Sequence, residues 1–185
     1  VGLNPSPLLA TRGGICRFNA TRPNPQFDAG APFATGIRNS SALDWNGTAL
    51  FSAMHGRDGT HKTWPDLVSA ADDDAIADEM FRVTKGTDMG WPYTYWDGAQ
   101  AKRLVAPEYG GDGKTLGPAK AIPVLSMIVE PTKAAPVDMV LYDASQFPAP
   151  WRSGLFISRH GGLGPERPGG YEGYDIVFLP MDAQG

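Results

Sequence analysis

The segments Ala49-Leu50-Phe51-Ser52 and Gly154-Leu155-Phe156-Ile157-Ser158 are alike, and each is soon followed by a His-Gly pair, His55-Gly56 in one case and His160-Gly161 in the other. Both are short, apolar and rich in β-forming residues, so each reads as a strand that ends in a similar corner. A strand-and-corner unit that recurs within one chain points to repeated β-sheets. Further runs of this character lie at 15–18, 80–83, 139–142 and 174–179. Several are separated by loops of about ten to thirty residues dense in Gly, Pro and Asp, against about 4 to 6 for a typical connection. Uneven spacing with long excursions suits propeller blades better than a sandwich, whose turn signals come about every 8 to 12 residues. The expectation is an all-β chain, with residues 1–185 forming part of a single β-propeller domain. One short helix is predicted over 69–80, where Ser69 caps the amino end, Asp72 to Asp74 sit in the early turns, and Ile76 and Met80 fall four apart.

Composition agrees with that picture. Apolar residues make up 42% of the 185 and charged residues 19%, which supplies a core and leaves too little charge for a disordered chain. The 23 Gly and 17 Pro are scattered without a period, as in a turn-dense β protein. A net charge of −4 with no run of basic residues argues against nucleic acid as a partner. No apolar run reaches the roughly 18 residues of a membrane-spanning helix, and residues 1–9 lack the basic and apolar regions of a signal peptide. The chain starts at Val1 and stops at Gly185 in a polar run, so its ends read as cut and the chain as a fragment. Cys16, alone, forms no internal disulfide and reads as a small buried apolar residue.

Three segments could carry chemistry. In Gly36-Ile37-Arg38-Asn39-Ser40-Ser41, Arg38 and Asn39 place a fork of five donors beside an amide at a strand corner, a pair able to clamp a carboxylate-bearing ligand. The plainer alternative is a salt bridge from Arg38 to Asp44 or Asp58. In His55-Gly56-Arg57-Asp58-Gly59-Thr60-His61, the spacing of the two His residues does not force their nitrogens together for a transition metal. Ca²⁺ would instead draw on oxygens, including backbone carbonyls that a Gly-bordered loop turns inward, and a simple hydrogen-bonded loop is the alternative. In Gly86-Thr87-Asp88-Met89-Gly90-Trp91-Pro92-Tyr93, Gly90 permits a tight turn and Pro92 fixes φ. Trp91, Tyr93, Tyr95 and Trp96 then form either a wall for a sugar or planar cofactor, or a plug in a sheet corner. The acidic group Asp72, Asp73, Asp74, Asp78 and Glu79 reads as a solvated helix face. There is no Gly-rich phosphate loop, no Gly-x-Ser-x-Gly elbow and no Cys-x-x-Cys pair.

Taken in order, Ala34-Thr35-Gly36-Ile37-Arg38-Asn39, His55-Gly56-Arg57-Asp58, Asp78-Glu79-Met80-Phe81 with the Gly-Trp-Pro segment, Ala135-Pro136 with Phe147-Pro148, and Gly154-Leu155-Phe156-Ile157 with His160-Gly161 form a series. That series resembles the soluble quinoprotein glucose and sorbosone dehydrogenases over about residues 14–181. Ile-Arg-Asn followed at a distance by Gly-Trp-Pro is its most specific part. The resemblance implies a six-bladed β-propeller of which this chain covers a central portion, about half or less. It also implies an enzyme that oxidises a sugar, polyol or aldehyde by hydride transfer to pyrroloquinoline quinone (PQQ), with Ca²⁺ at the channel mouth. An external electron acceptor and a periplasmic or secreted location follow from the same resemblance.

By that resemblance Arg38 and Asn39 contact the quinone and the carbonyls of Gly56 and Arg57 hold Ca²⁺. Two further cofactor-facing positions fall on Lys133 and His160. Relatives often carry His where this chain has Lys133, and the glucose dehydrogenase branch carries Lys where this chain has His160, so a cation is kept at each. The continuation Gly161-Gly162-Leu163-Gly164-Pro165 departs from the family pattern. The family's catalytic His lies in an earlier blade and matches neither His55 nor His61, and the Arg residues of the last blade would fall beyond Gly185. Two competing expectations are a non-catalytic propeller that binds a glycan or protein partner in the channel mouth, and a propeller lactonase whose Ca²⁺ would draw on Asp58, Asp78 and Glu79.

Overall fold

The computed structural model describes residues 7–27, 32–117, 133–162 and 173–182, and the backbone alone at 125–127. Its strands fall into a series of antiparallel sheets. The first is the pair β1 (Gly14–Cys16) and β2 (Pro32–Thr35). The second has the order β3 (Ala42–Trp45), β4 (Leu50–Met54), β5 (Asp78–Val83), β8 (Leu125–Met127). Between β5 and β8 the chain leaves the sheet to form a separate hairpin, β6 (Thr94–Asp97) with β7 (Lys102–Val105). The third sheet runs β9 (Pro136–Tyr142), β10 (Gly154–Arg159), β11 (Asp175–Pro180) in sequence order. Sheets whose consecutive strands pair in order and then pack face to face are propeller blades.

Strand β4 shows why the blades pack. Phe51 and Ala53 point to one side, where with Ala42, Met80, Met139, Leu155 and Ile157 they form the core between the second and third sheets. Met54 and Leu50 point to the other side, where with Ala34, Phe81, Val83 and Met89 they form the core against the first sheet. A strand covered on both faces reads as a continuous apolar run. Phe51, Leu155 and Ile157 are fully buried, each contributing about 1.5 to 3 kcal/mol. The Leu141 amide also donates to the Asp44 carboxylate at 2.6 Å, tying β9 to β3 across the same interface. On the far face of the third sheet, Tyr142, Phe147, Trp151, Phe156 and Phe178 form a chain of ring contacts, with Val140 and Ile176 exposed beside them.

The helix expected over 69–80 is much shorter. Helix α1 spans Thr60–Thr63, and α2 spans Ala70–Asp74 under a Ser69–Asp72 capping box. Beyond Asp74 the β6 hairpin captures the chain: Ala77 donates to the Trp96 carbonyl at 3.1 Å and Gly98 to that of Ala75 at 2.7 Å. Ile76 is thereby drawn into a core with Tyr95, Leu104 and Ala106, and strand β5 begins at Asp78. Pairing with a neighbouring strand thus overrides a local helical preference. The acidic group is corrected with it, since Asp73, Asp78 and Glu79 are buried. Cys16 lies in β1 and is half-buried rather than fully so. Ser69→Ala should cost about 1 kcal/mol by removing the cap, read as a small drop in the denaturation midpoint with α2 helicity reduced.

Candidate functional site

The site begins where β2 ends. Gly36 turns the chain with φ 78°, and a Cβ there would meet the Gly90 amide nitrogen at 2.4 Å, so only glycine admits this approach. Trp91 donates its amide to the Gly36 carbonyl at 3.0 Å, which places the Ile-Arg-Asn and Gly-Trp-Pro segments side by side. Arg38 and Asn39 follow, and the His55 amide donates to the Asn39 carbonyl at 2.8 Å. The corner after β2 therefore lies against the corner after β4.

Side chains join the two corners. Arg38 donates through Nη1 to the Gly56 carbonyl at 2.8 Å, and its Nη2 stands 3.4 Å from Asp58 Oδ2. The salt bridge weighed as the plainer alternative is thus present, to Asp58 rather than Asp44. Asn39 Nδ2 lies 3.2 Å from His55 Nδ1, and His55 Nε2 lies 2.8 Å from the Pro136 carbonyl. This network assigns the tautomer: Nδ1 accepts from the Asn39 amide and Nε2–H donates to Pro136.

The third sheet completes the arrangement. Buried Asp78 accepts from the amides of Gly56 and Ala135, each at 2.8 Å. Burial pulls its carboxyl above the ordinary range, against the opposing effect of these two amides. Lys133, 7% exposed and at φ 77°, puts Nζ 3.5 Å from Asp73 Oδ1 and 3.7 Å from Asp58 Oδ1. Asp58 therefore stands between Arg38 and Lys133. His160 directly follows β10, exposed, with its amide donating to the Ala135 carbonyl at 2.9 Å and its ring 6.1 Å from that of Tyr174. One connected network thus includes Arg38, Asn39, Gly56, Lys133 and, through backbone, His160. The Arg57 side chain turns away, to the Glu108 carboxylate at 3.0 and 2.5 Å and over the Tyr95 ring. Burial works to raise the Glu108 carboxyl, but Arg57 outweighs it and holds the group below its usual range.

A cleft of about 360 Å³ opens beside this corner, lined by Arg38, Gly56, Asp58, Trp91, Tyr109 and, at its inner end, Glu79. Glu79 is 2% exposed and pairs with the buried Arg103, which also donates to the Met89 carbonyl at 3.0 Å and lies over the Phe81 and Trp96 rings. Burial pushes the Glu79 carboxyl up to about 7 against the pull of Arg103. Sequence reasoning did not single out this pair, because Arg103 sits in an unremarked hairpin and only the fold brings it to Glu79. Within the aromatic segment, Tyr95 is buried in a core and also reaches the cleft, while Trp91 and Pro92 line the cleft with Tyr109.

The donor set fits an anionic quinone. Two cations, Arg38 and Lys133, already receive one carboxylate between them, that of Asp58, with Asn39 alongside. Ca²⁺ does not fit the corner as arranged, because the Gly56 carbonyl accepts from the Arg38 guanidinium. A divalent cation about 4 Å from that guanidinium would be repelled by roughly 8 kcal/mol at an effective dielectric of 20. Among the described residues no three His, Cys, Asp or Glu side chains converge to hold a metal ion. Asp78 and Glu79, the carboxylates a lactonase would need, face backbone amides and Arg103 instead.

No model of a known family and no curated protein matches the chain. Solved structures do. The soluble aldose sugar dehydrogenase from Escherichia coli, in its apo-form, is similar with a TM-score of 0.51 and 19% identity over 89% of this chain and 37% of its own. A glucose dehydrogenase structure is similar with a TM-score of 0.51 and 19% identity, covering 89% of this chain and 36% of that one. Another glucose dehydrogenase structure gives a TM-score of 0.50 and 20% identity, covering 83% and 34%. At these identities the likeness is one of fold: the chain has the fold of part of these propellers and spans little more than a third of their length.

Proposed function

We propose that this chain is part of a PQQ-dependent dehydrogenase that oxidises a sugar, polyol or aldehyde outside the cytoplasm and passes the electrons to an external acceptor. The observation that carries the reading is the pair of cations sharing one carboxylate at the blade corner, on a fold like that of sugar dehydrogenases. Bound there, the quinone would supply a two-electron hydride acceptor that the protein's own side chains lack. Arg38 would hold a ligand carboxylate through a charged fork, with Asn39 and exposed His160 as further polar contacts. Trp91 and Tyr109 wall the adjoining cleft and would shield a bound ligand from water on that side.

On this reading neither His55 nor His61 serves as the base that takes the substrate proton. Both ring nitrogens of His55 are engaged, by Asn39 and the Pro136 carbonyl, and His61 Nδ1 lies 2.9 Å from the Val68 carbonyl. On this reading the proton acceptor comes from a part of the protein other than these residues.

Titration calorimetry of the full-length protein with PQQ tests the proposal. Arg38→Ala should weaken binding by about 2 to 4 kcal/mol, roughly 30- to 1,000-fold, as for removing one partner of a desolvated charge pair. Absence of PQQ binding to the unaltered protein, or an affinity unmoved by the substitution, would overturn it.

A further inference from the structure

We propose that Asp58 is a specificity-determining residue: an internal carboxylate that occupies Arg38 and Lys133, keeps single carboxylates out of the corner, and yields to a ligand carrying several. The inference rests on reading this corner as a carboxylate-binding site.

The charges at the corner balance. Arg38 and Lys133 face Asp58, and Lys133 also faces Asp73, whose Oδ1 accepts from the Thr60 amide at 3.1 Å. Asp73 is buried and held, whereas the Asp58 side chain is 50% exposed on the loop between Arg57 and Gly59. Its two contacts, 3.4 and 3.7 Å, are longer than the roughly 2.7 to 2.9 Å of a tight charge-assisted hydrogen bond. Asp58 is thus a resident anion held loosely and displaceable without unfolding anything. Since it is tethered, its effective concentration at the two cations is on the order of millimolar or higher. A free monocarboxylate makes the same contacts Asp58 makes and must compete with it. A ligand with several carboxylates displaces Asp58 with one and keeps others for Asn39 and His160.

Removing the Asp58 charge leaves the corner with one net positive charge and an open anion position. If the loose pairs leave the corner open in only a tenth to a fifth of molecules, the apparent affinity for a competing carboxylate is reduced by about five- to ten-fold.

The test uses acetate and PQQ separately as probes of the full-length protein. In NMR titrations with acetate, Asp58→Asn should bind about five- to ten-fold more tightly than the unaltered protein. Asp58→Glu, which restores the carboxylate, should return acetate binding to the weak level, and adding Arg38→Ala to Asp58→Asn should abolish the gain. Equal acetate affinity with and without Asp58, or a gain that survives in Asp58→Glu, would overturn the inference. The PQQ arm separates the two readings: if PQQ fails to bind while acetate tightens in Asp58→Asn, the quinone reading falls and the role of Asp58 stands. If PQQ binds but acetate affinity is indifferent to Asp58, the reverse holds.

Discussion

Arg103→Met is expected to destabilise the protein by about 3 to 5 kcal/mol, the cost of stranding one partner of a buried ion pair. Glu79 and Arg103 are each nearly inaccessible, and the guanidinium also serves the Met89 carbonyl and lies over two aromatic rings. Methionine fills similar space but leaves the Glu79 carboxylate with no cation. The loss should depend on pH in a definite direction. The Glu79 carboxyl stands at about 7 in the fold against 4.5 ordinarily, burial being the main cause, and losing Arg103 removes the chief opposing influence and raises it further. Between these values the folded state binds more protons than the unfolded state, so stability falls as pH rises. The substitution should therefore cost more at pH 8 than at pH 5, where the buried carboxyl is neutral. Denaturant titrations at the two pH values measure this. A loss below about 1 kcal/mol at pH 8 would show that the charge is not stranded in a desolvated site.

Asp78→Ala should cost about 2 to 6 kcal/mol, because it orphans two backbone donors at roughly 1 to 3 kcal/mol each. Those donors, the amides of Gly56 and Ala135, belong to the corners of two successive blades, so the carboxylate clamps the candidate site across the interface. Amide hydrogen exchange should speed up at Gly56 and Ala135 together, and Asp78→Asn, which keeps one acceptor oxygen, should fall between the two. If exchange at one of these amides is unchanged, the carboxylate is not shared. Weaker ligand binding should accompany the loss, since Arg38 and Asp58 sit on the Gly56 side of the clamp and Lys133 on the other.

Much of the architecture was legible in local pattern. The runs at 49–53, 155–158 and 174–179 coincide closely with β4, β10 and β11, because short β-branched and aromatic segments between turn formers have few other ways to bury both faces. The strands that escaped notice carry Asp or Lys, as in β3 and β7, where pairing partners rather than propensity make the strand. The predicted helix failed for the same reason: α2 has the capping box read from Ser69 and Asp72, but its continuation is claimed by β6.

By itself the sequence determined the all-β class, the repeated strand-and-corner unit and the position of Arg38 and Asn39 at a strand end, all consequences of side-chain periodicity and turn chemistry within a few residues. Only the tertiary structure decided which charges meet. Arg38 with Asp58, Asp58 with Lys133, Asp78 with the amides of Gly56 and Ala135, and Glu79 with Arg103 are each far apart along the chain. An ion pair acts over a few ångströms of space, and sequence separation carries no information about that distance until the blades have packed. The acidic cluster makes the point: the same five carboxylates that read as one solvated face are divided by the fold between solvent, a backbone clamp and a buried guanidinium.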